Sequence, residues 1–300
     1  MSPKGWTMEF KQLQYFLSAA EYLNFTEAAQ ACFIVQSAMS QQISSLEKEL
    51  GVTLFVREKR VLRLTAEGET LVLEARKILN QVNNSRLLVQ SIAKGYQHVF
   101  RVGCNGDLCR ENLPRALERF RETYPYVKVL VMHGQHTELI TQMENGQIDC
   151  MISLFWPEYN LKNWMSYHIL KEEAVLAMLP GNHPLANRKA VSKEDLEKER
   201  LILLSGSDKT ERLAAWTIEG VAKPVYAYVN SQESVETLVA AGYGMSMAVK
   251  SACRPHPNLA YVPMKEPHME RICLLWNKNQ TTQAWIERFT SFLMMESSEM

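Results

Sequence analysis

Apolar positions in the first hundred residues recur at helical spacing. Leu13, Phe16, Leu17, Ala20 and Leu23 share one face, which predicts a first helix burying that stripe. Thr26 precedes Glu27-Ala28-Ala29-Gln30-Ala31. Its hydroxyl is expected to cap a second helix, and Glu27 suits the positive helix end. The paired alanines suit two backbones that cross closely. Phe33, Ile34 and Val35 make an apolar turn. Ala38, Met39, Ile43, Leu46 and Leu50 predict the buried stripe of a third helix. Gln36, Ser37, Ser40 and Gln41 are left on its other side, near its start. After Gly68, positions Leu71, Ala75, Ile78, Val82, Ser85, Val89 and Ile92 alternate in steps of four and three. That is a seam for a partner helix, uninterrupted by Pro or Gly until Gly95.

Beyond residue 98 the pattern changes to alternating strands and helices. Val99 to Gly103, Val127 to Met132 and Asp149 to Leu154 read as strands. Glu111 to Tyr124 and Glu138 to Asn145 read as helices. Strands at Glu172 to Leu179, Arg200 to Leu204 and Val225 to Val229 follow. Ser231 then opens a helix that ends near Gly242. Arg271 to Trp276 and a helix over Gln283 to Met294 close the chain. The expected class is α/β, with a parallel sheet covered on both faces. Ligands in such folds bind beyond the carboxyl ends of the strands.

Charge sharpens the picture of the first third. The whole chain has 33 Lys and Arg and 33 Asp and Glu, so its net charge is zero. Residues 1–95 hold 11 Lys and Arg against 9 Glu and no Asp, so basicity is local. The third helix carries no charge from Gln36 to Ser45, where a merely solvated face usually would. Its amides and hydroxyls can donate to and accept from base edges. Arg57-Glu58-Lys59-Arg60-Val61-Leu62-Arg63 follows, four basic groups against one acidic. A basic hairpin beside an uncharged helix fits phosphate and minor-groove contact.

In order and without gaps, residues 8 to about 68 resemble the winged helix-turn-helix of the LysR-type transcriptional regulators. The resemblance implies that Gln36, Ser37, Ser40 and Gln41 face the major groove, Arg57 meets backbone and Arg60 reaches the minor groove. With Thr26 and Arg63 these form the expected DNA-binding set. Val35 departs from the family pattern, which has Ser or Thr before the glutamine. The seam helix then implies a homodimer on two half-sites, with a homotetramer as the family's common assembly.

Residues 98–295 are similar to the family's effector domain, two subdomains around a cleft as in periplasmic binding proteins. Leu113-Pro114, Tyr124-Pro125, Gly146-Gln147-Ile148-Asp149, His183-Pro184-Leu185-Ala186 and Ala241-Gly242-Tyr243-Gly244 carry that likeness. Val249 stands where the family often has proline. Expected boundaries are 1–67 for the DNA-binding domain, 68–96 for the linker helix and 97–300 for the effector domain. Within the last, subdomain I takes about 97–163 and 267–300, and subdomain II about 164–266. Cleft candidates at strand ends and helix starts are Cys104, Asn105, Gly106, Gln135, Thr137, Phe155, Ser205, Ser231 and Gln232. Hydroxyls and helix N-termini favour a small anion. Operator DNA and a small, anionic metabolite are the expected partners, with RNA polymerase a further one.

Other readings have less behind them. Cys104 and Cys109 are the only close pair among six cysteines, so a redox switch is the alternative sensor. Small buried apolar side chains are the plainer reading. His133-x-x-His136 suggests a metal-dependent enzyme but lacks an acidic or cysteine helper nearby. No nucleophile elbow, Walker loop or dinucleotide fingerprint appears, and no cofactor is expected. No leader and no membrane-length apolar run is present, which predicts a cytoplasmic protein.

Overall fold

The computed structural model describes residues 8–58, 61–106, 108, 110, 112–155, 157–204, 225–280 and 282–298. The chain divides into two compact units, Met1–Gln90 and Ser91–Met300.

The first unit is a three-helix head with a hairpin. Helix α1 spans Phe10–Tyr22, α2 Phe25–Ala31 and α3 Gln36–Leu50. Their apolar stripes meet in one core built on Leu13, Phe16, Ala28, Ala29, Met39, Ile43 and Leu46. The two alanines are fully buried, as a close helix crossing requires. Leu50, expected in the stripe, is exposed at the helix end. Strands β1 (Phe55–Glu58) and β2 (Val61–Leu64) form an antiparallel hairpin. Phe55 fastens it to the core, with its ring 5.6 Å from Phe16 and 5.5 Å from Phe25.

Helix α4 spans Ala66–Ile92. Thr65 caps it, its Oγ1 accepting from Gly68 N at 2.9 Å. Gly68 is needed there, because a Cβ would stand 2.3 Å from the Leu54 carbonyl oxygen. The seam of α4 splits in two. Leu71, Ala75 and Ile78 pack on the head's own core, whereas Val82, Val89 and Ile92 are exposed.

The second unit is built on β3 (His98–Asn105), β4 (Val127–Gly134), β5 (Cys150–Leu154), β6 (Met165–Pro180), β10 (Leu259–Pro263) and β11 (Met269–Asn277). Their order is β10-β6-β11-β5-β3-β4. Strands β4, β3 and β5 are parallel, but β11 and β6 join antiparallel, so the expected parallel sheet is a mixed one. β6 serves two sheets in turn. Met165 to Ala174 pair with β11, and Val175 to Pro180 pair with β10 and β9 (Ser246–Val249). A separate parallel pair, β7 (Leu201–Leu204) and β8 (Val225–Val229), lies beyond them.

Helices α5 (Asn112–Thr123), α6 (His136–Glu144), α7 (Pro157–Asn160), α8 (Gln232–Ala240) and α9 (Gln283–Ser298) cover the sheets. The packing is aromatic where α5 meets α9. The Phe120 ring lies 5.8 Å from Phe100 and 5.6 Å from Phe289.

Candidate functional site

In the head, the buried stripe of α3 decides what its opposite face presents. Met39, Ile43 and Leu46 point inward, so Gln36, Ser37 and Gln41 are exposed and Ser40 is partly so. Residues 36 and 40, like 37 and 41, are one turn apart, so all four polar groups share one patch. No side-chain hydrogen bond caps α3 at Val35. Its carbonyl accepts from Ala38 N at 3.1 Å and Met39 N at 3.2 Å. At the far end, Glu47 Oε1 accepts from Leu54 N at 2.7 Å and Phe55 N at 3.1 Å. That carboxylate fixes the hairpin relative to α3.

Two head residues need correction or definition. Thr26 is exposed in the first turn of α2, but it is not the cap. Asn24 is, its Oδ1 accepting from Thr26 N at 2.9 Å and Glu27 N at 3.4 Å. Its own Nδ2 donates to Glu27 Oε1 at 2.8 Å. Arg63 is exposed on β2, in register with Val56. Arg60 and the side chain of Arg57 lie outside the described residues.

In the second unit, the strand ends gather a second group. Asn105 Nδ2, at the end of β3, donates to Gly134 O at the end of β4, at 3.2 Å. Gly106 follows with φ +58, a left-handed turn that releases the chain from the sheet. Gln135 starts α6, and its Nε2 donates to Asn230 O at 3.1 Å. That bond links α6 to the junction between β8 and α8, ninety-five residues on. Ser231 caps α8, its Oγ accepting from Ser234 N at 3.1 Å. Gln232 Nε2 donates to Glu236 Oε1 at 3.4 Å, and Thr137 is exposed on the first turn of α6.

The structure therefore brings Asn105, Gly106, Gln135, Thr137, Ser231 and Gln232 to the strand ends and helix starts. It moves two candidates away. Cys104 and Phe155 are fully buried, the latter with its ring 5.7 Å from Tyr167, so both are core residues rather than cleft walls. Ser205 and Cys109 lie outside the described residues. The sequence reading passed over Ser153 and Asn230, and weighed His136 with His133 as a metal pair. His136 Nδ1 sits 2.7 Å from the fully buried Ser153 Oγ, a hydrogen bond from α6 into β5. Its place directly after Gln135 was the available signal.

Electrostatics set the remaining candidates apart. Burial, then the charge of Asp149, pushes the Cys150 thiol well up, which keeps it protonated and inert. Burial, then Glu173, pushes Cys253 up to about 12. Burial also raises Asp149, although Arg101 N donates to its Oδ2 at 2.7 Å and the guanidinium lies 3.6 Å away. That pair locks β3 to the start of β5 and lies within the sheet. Among the described residues, no group of three His, Cys, Asp or Glu side chains is placed to hold a metal. No helix among them is long and apolar enough to cross a membrane.

Comparison with known proteins matches both halves. Residues 10–69 match the model of bacterial regulatory helix-turn-helix proteins of the lysR family, and residues 93–297 that of the LysR substrate binding domain. The transcriptional dual regulator GltC of Bacillus subtilis (strain 168) is 28% identical over 98% of this chain and 99% of its own. The HTH-type transcriptional regulator AlsR of the same organism is 32% identical over 82% of each. Full-length CbnR, solved in complex with its target DNA, superposes with a TM-score of 0.69 at 23% identity, over 96% of this chain and 100% of that one. With both models matched in order along its length, this chain belongs to the LysR family of transcriptional regulators, a DNA-binding helix-turn-helix joined to an effector-binding domain.

Proposed function

We infer that α3 enters the major groove and reads base edges through Gln36, Ser37, Ser40 and Gln41. The observation that carries this is the exposed, uncharged polar patch over a fully buried Met39-Ile43-Leu46 stripe. Thr26 stands at the start of the neighbouring helix, and Arg57, Arg60 and Arg63 of the hairpin supply phosphate and minor-groove contact. Two copies pair through the exposed second half of the α4 seam, which places two reading heads on two half-sites. Higher assembly, contact with RNA polymerase and a cytoplasmic location follow from the same reading.

The effector is a small anion held where Asn105, Gly106, Gln135, Thr137, Ser231 and Gln232 gather. Hydroxyls, amides and helix starts are its donors. Ligand shifts the chain between two arrangements of that cleft only by its differential affinity for them.

The test uses full-length protein and a duplex enriched from a random-sequence library. Gln36→Ala should weaken binding to that duplex by about 1–3 kcal/mol, the scale of one bidentate base contact, and leave random DNA unaffected. Equal loss on both removes Gln36 from base reading.

A further inference from the structure

Phe33 is the most exposed large hydrophobic side chain among the described residues, at 96% of its full surface. Its backbone is also unusual for so bulky a residue, with φ +55. The local hydrogen bonds explain the conformation. Cys32 ends α2, Phe33 N donates to Gln30 O at 3.1 Å, and Ile34 N donates to Ala29 O at 3.0 Å. These two bonds close a helix C-terminus through one left-handed residue, the position where glycine is the usual choice. An aromatic side chain there costs stability and gains no burial. Leu23 shares the conformation at the end of α1, but its side chain is far less exposed.

Two positions on, Val35 is 67% exposed and occupies the capping position of α3 without capping it. A Ser, Thr, Asp or Asn would be the stabilising residue at that place. Positions 33 and 35 thus each hold an exposed apolar side chain where the fold favours another residue. Both border the polar patch at the start of α3, and the N-terminal residues of a recognition helix are those that meet base edges. Amides and hydroxyls cannot recognise the one apolar group that the major groove displays, the thymine 5-methyl.

We propose that Phe33 and Val35 form a thymine reader, in apolar contact with 5-methyl groups beside the bases read by Gln36, Ser40 and Gln41. The proposal rests on α3 being the reading helix and adds a base class to it. It also gives a reason for keeping two locally unfavourable residues, since strain at a functional site is offset by what the site binds.

The test is the operator with single methyl groups removed. Full-length protein selects a duplex from a random-sequence library, and each dT within the protected half-site is then replaced by deoxyuridine. Loss of one contacted methyl should weaken the unaltered protein about fourfold, the factor for one buried methyl-sized group. Phe33→Gly and Val35→Ser should bind the two duplexes with less discrimination. Each should also raise the melting temperature of the head by about 4–8 °C, the shift for one kcal/mol in so small a domain. Lower melting of both variants would mean the side chains serve the fold and would overturn the proposal. Undiminished discrimination by both, or none by the unaltered protein, would overturn it too. So would a changed oligomeric state of the free variants in sedimentation, because the patch would then join copies of the chain. If no sequence is enriched at all, the reading of α3 itself fails, a result distinguishable from the others.

Discussion

The head and the effector unit each set one helix start that a side chain caps beside one that none does. In the head, Asn24 closes α2 with two backbone donors, while α3 begins at Val35 with no side-chain cap. In the effector unit, Ser231 closes α8, while α6 begins at Gln135, whose amide donates to Asn230 O instead of capping. In both units the capped and the uncapped start each contribute residues to the proposed ligand-binding set, Thr26 beside Gln36 in the head and Ser231 beside Gln135 in the effector unit. The uncapped pair differs in how it is held. The start of α3 is presented by six consecutive residues over one buried stripe. The start of α6 is tied across the cleft to a distant loop.

The largest effect should come from breaking one unit and sparing the other. Phe120 is fully buried among Phe100, Phe289 and Trp285 in the effector unit. Phe120→Ala should cost that unit about 3–5 kcal/mol in urea unfolding, through lost transfer energy and a cavity. The head's transition should stay where it is. Simultaneous loss of both transitions would show that the two units unfold as one.

A capping test comes next. Asn24→Ala should lower the head's stability by about 0.5–2 kcal/mol, because two donors at the start of α2 lose their acceptor. Thr26→Val should do much less, since its hydroxyl caps nothing at that start. If Thr26→Val costs as much as Asn24→Ala, the assignment of the cap is wrong.

That exchange also shows what the residues alone reveal. The head was legible because its stripe, its polar patch and its basic hairpin are each contiguous in sequence. The cap was misplaced by two residues because α2 begins at Phe25, which put the better capping residue one step earlier. The α4 seam was visible, but a period cannot say which surface it meets. Its first half meets the head's own core. In the effector unit, β8 was found with its bounds of Val225 and Val229 because turn residues and a capped helix frame it. β10 was missed because Pro257 and Pro263 flank a short apolar run, and proline fits only an edge strand, which β10 is. The first half of β6 was missed for its many polar residues. Cys104 and Phe155 read as cleft residues because strand ends do not announce which alternate side chain is buried. The bond from Gln135 to Asn230 joins residues with nothing local in common, so no spacing could signal it.

Gln135→Ala sharpens the contrast between a start held locally and one held across a cleft. Removing one hydrogen bond of this kind should cost about 0.5–1.5 kcal/mol, toward the lower end for an exposed bond. Hydrogen exchange at the junction of β8 and α8 should speed up, and the cooperative unfolding of the effector unit should hardly move. DNA binding by the ligand-free protein should be unchanged. Unaltered exchange at that junction would mean that the bond does not restrain the cleft.

The smallest effect separates an acid-sensitive contact of the effector unit from the rest of the chain. Asp195 accepts from Ser192 N at 2.9 Å, and Arg188 and Lys265 lie 2.8 and 3.5 Å from its carboxylate. The backbone bond first, then these two cations and the Ser192 hydroxyl, bring its pKa down from 3.8 to about 2. A carboxyl whose pKa is depressed on folding adds stability that is fully present above its unfolded value. That stability is lost as pH falls from near 3.8 toward about 2. Asp195→Asn should therefore flatten the acid limb of the effector unit's stability in that window and leave the melting of the head unchanged. Because the contact is at the surface, added salt should shrink the difference between the two proteins. An acid limb that is as steep in Asp195→Asn as in the unaltered chain would assign the sensitivity to other carboxylates, with Glu173 next in line. Burial works against Glu173, but hydrogen bonds from Lys171 and Ser251 hold its pKa down.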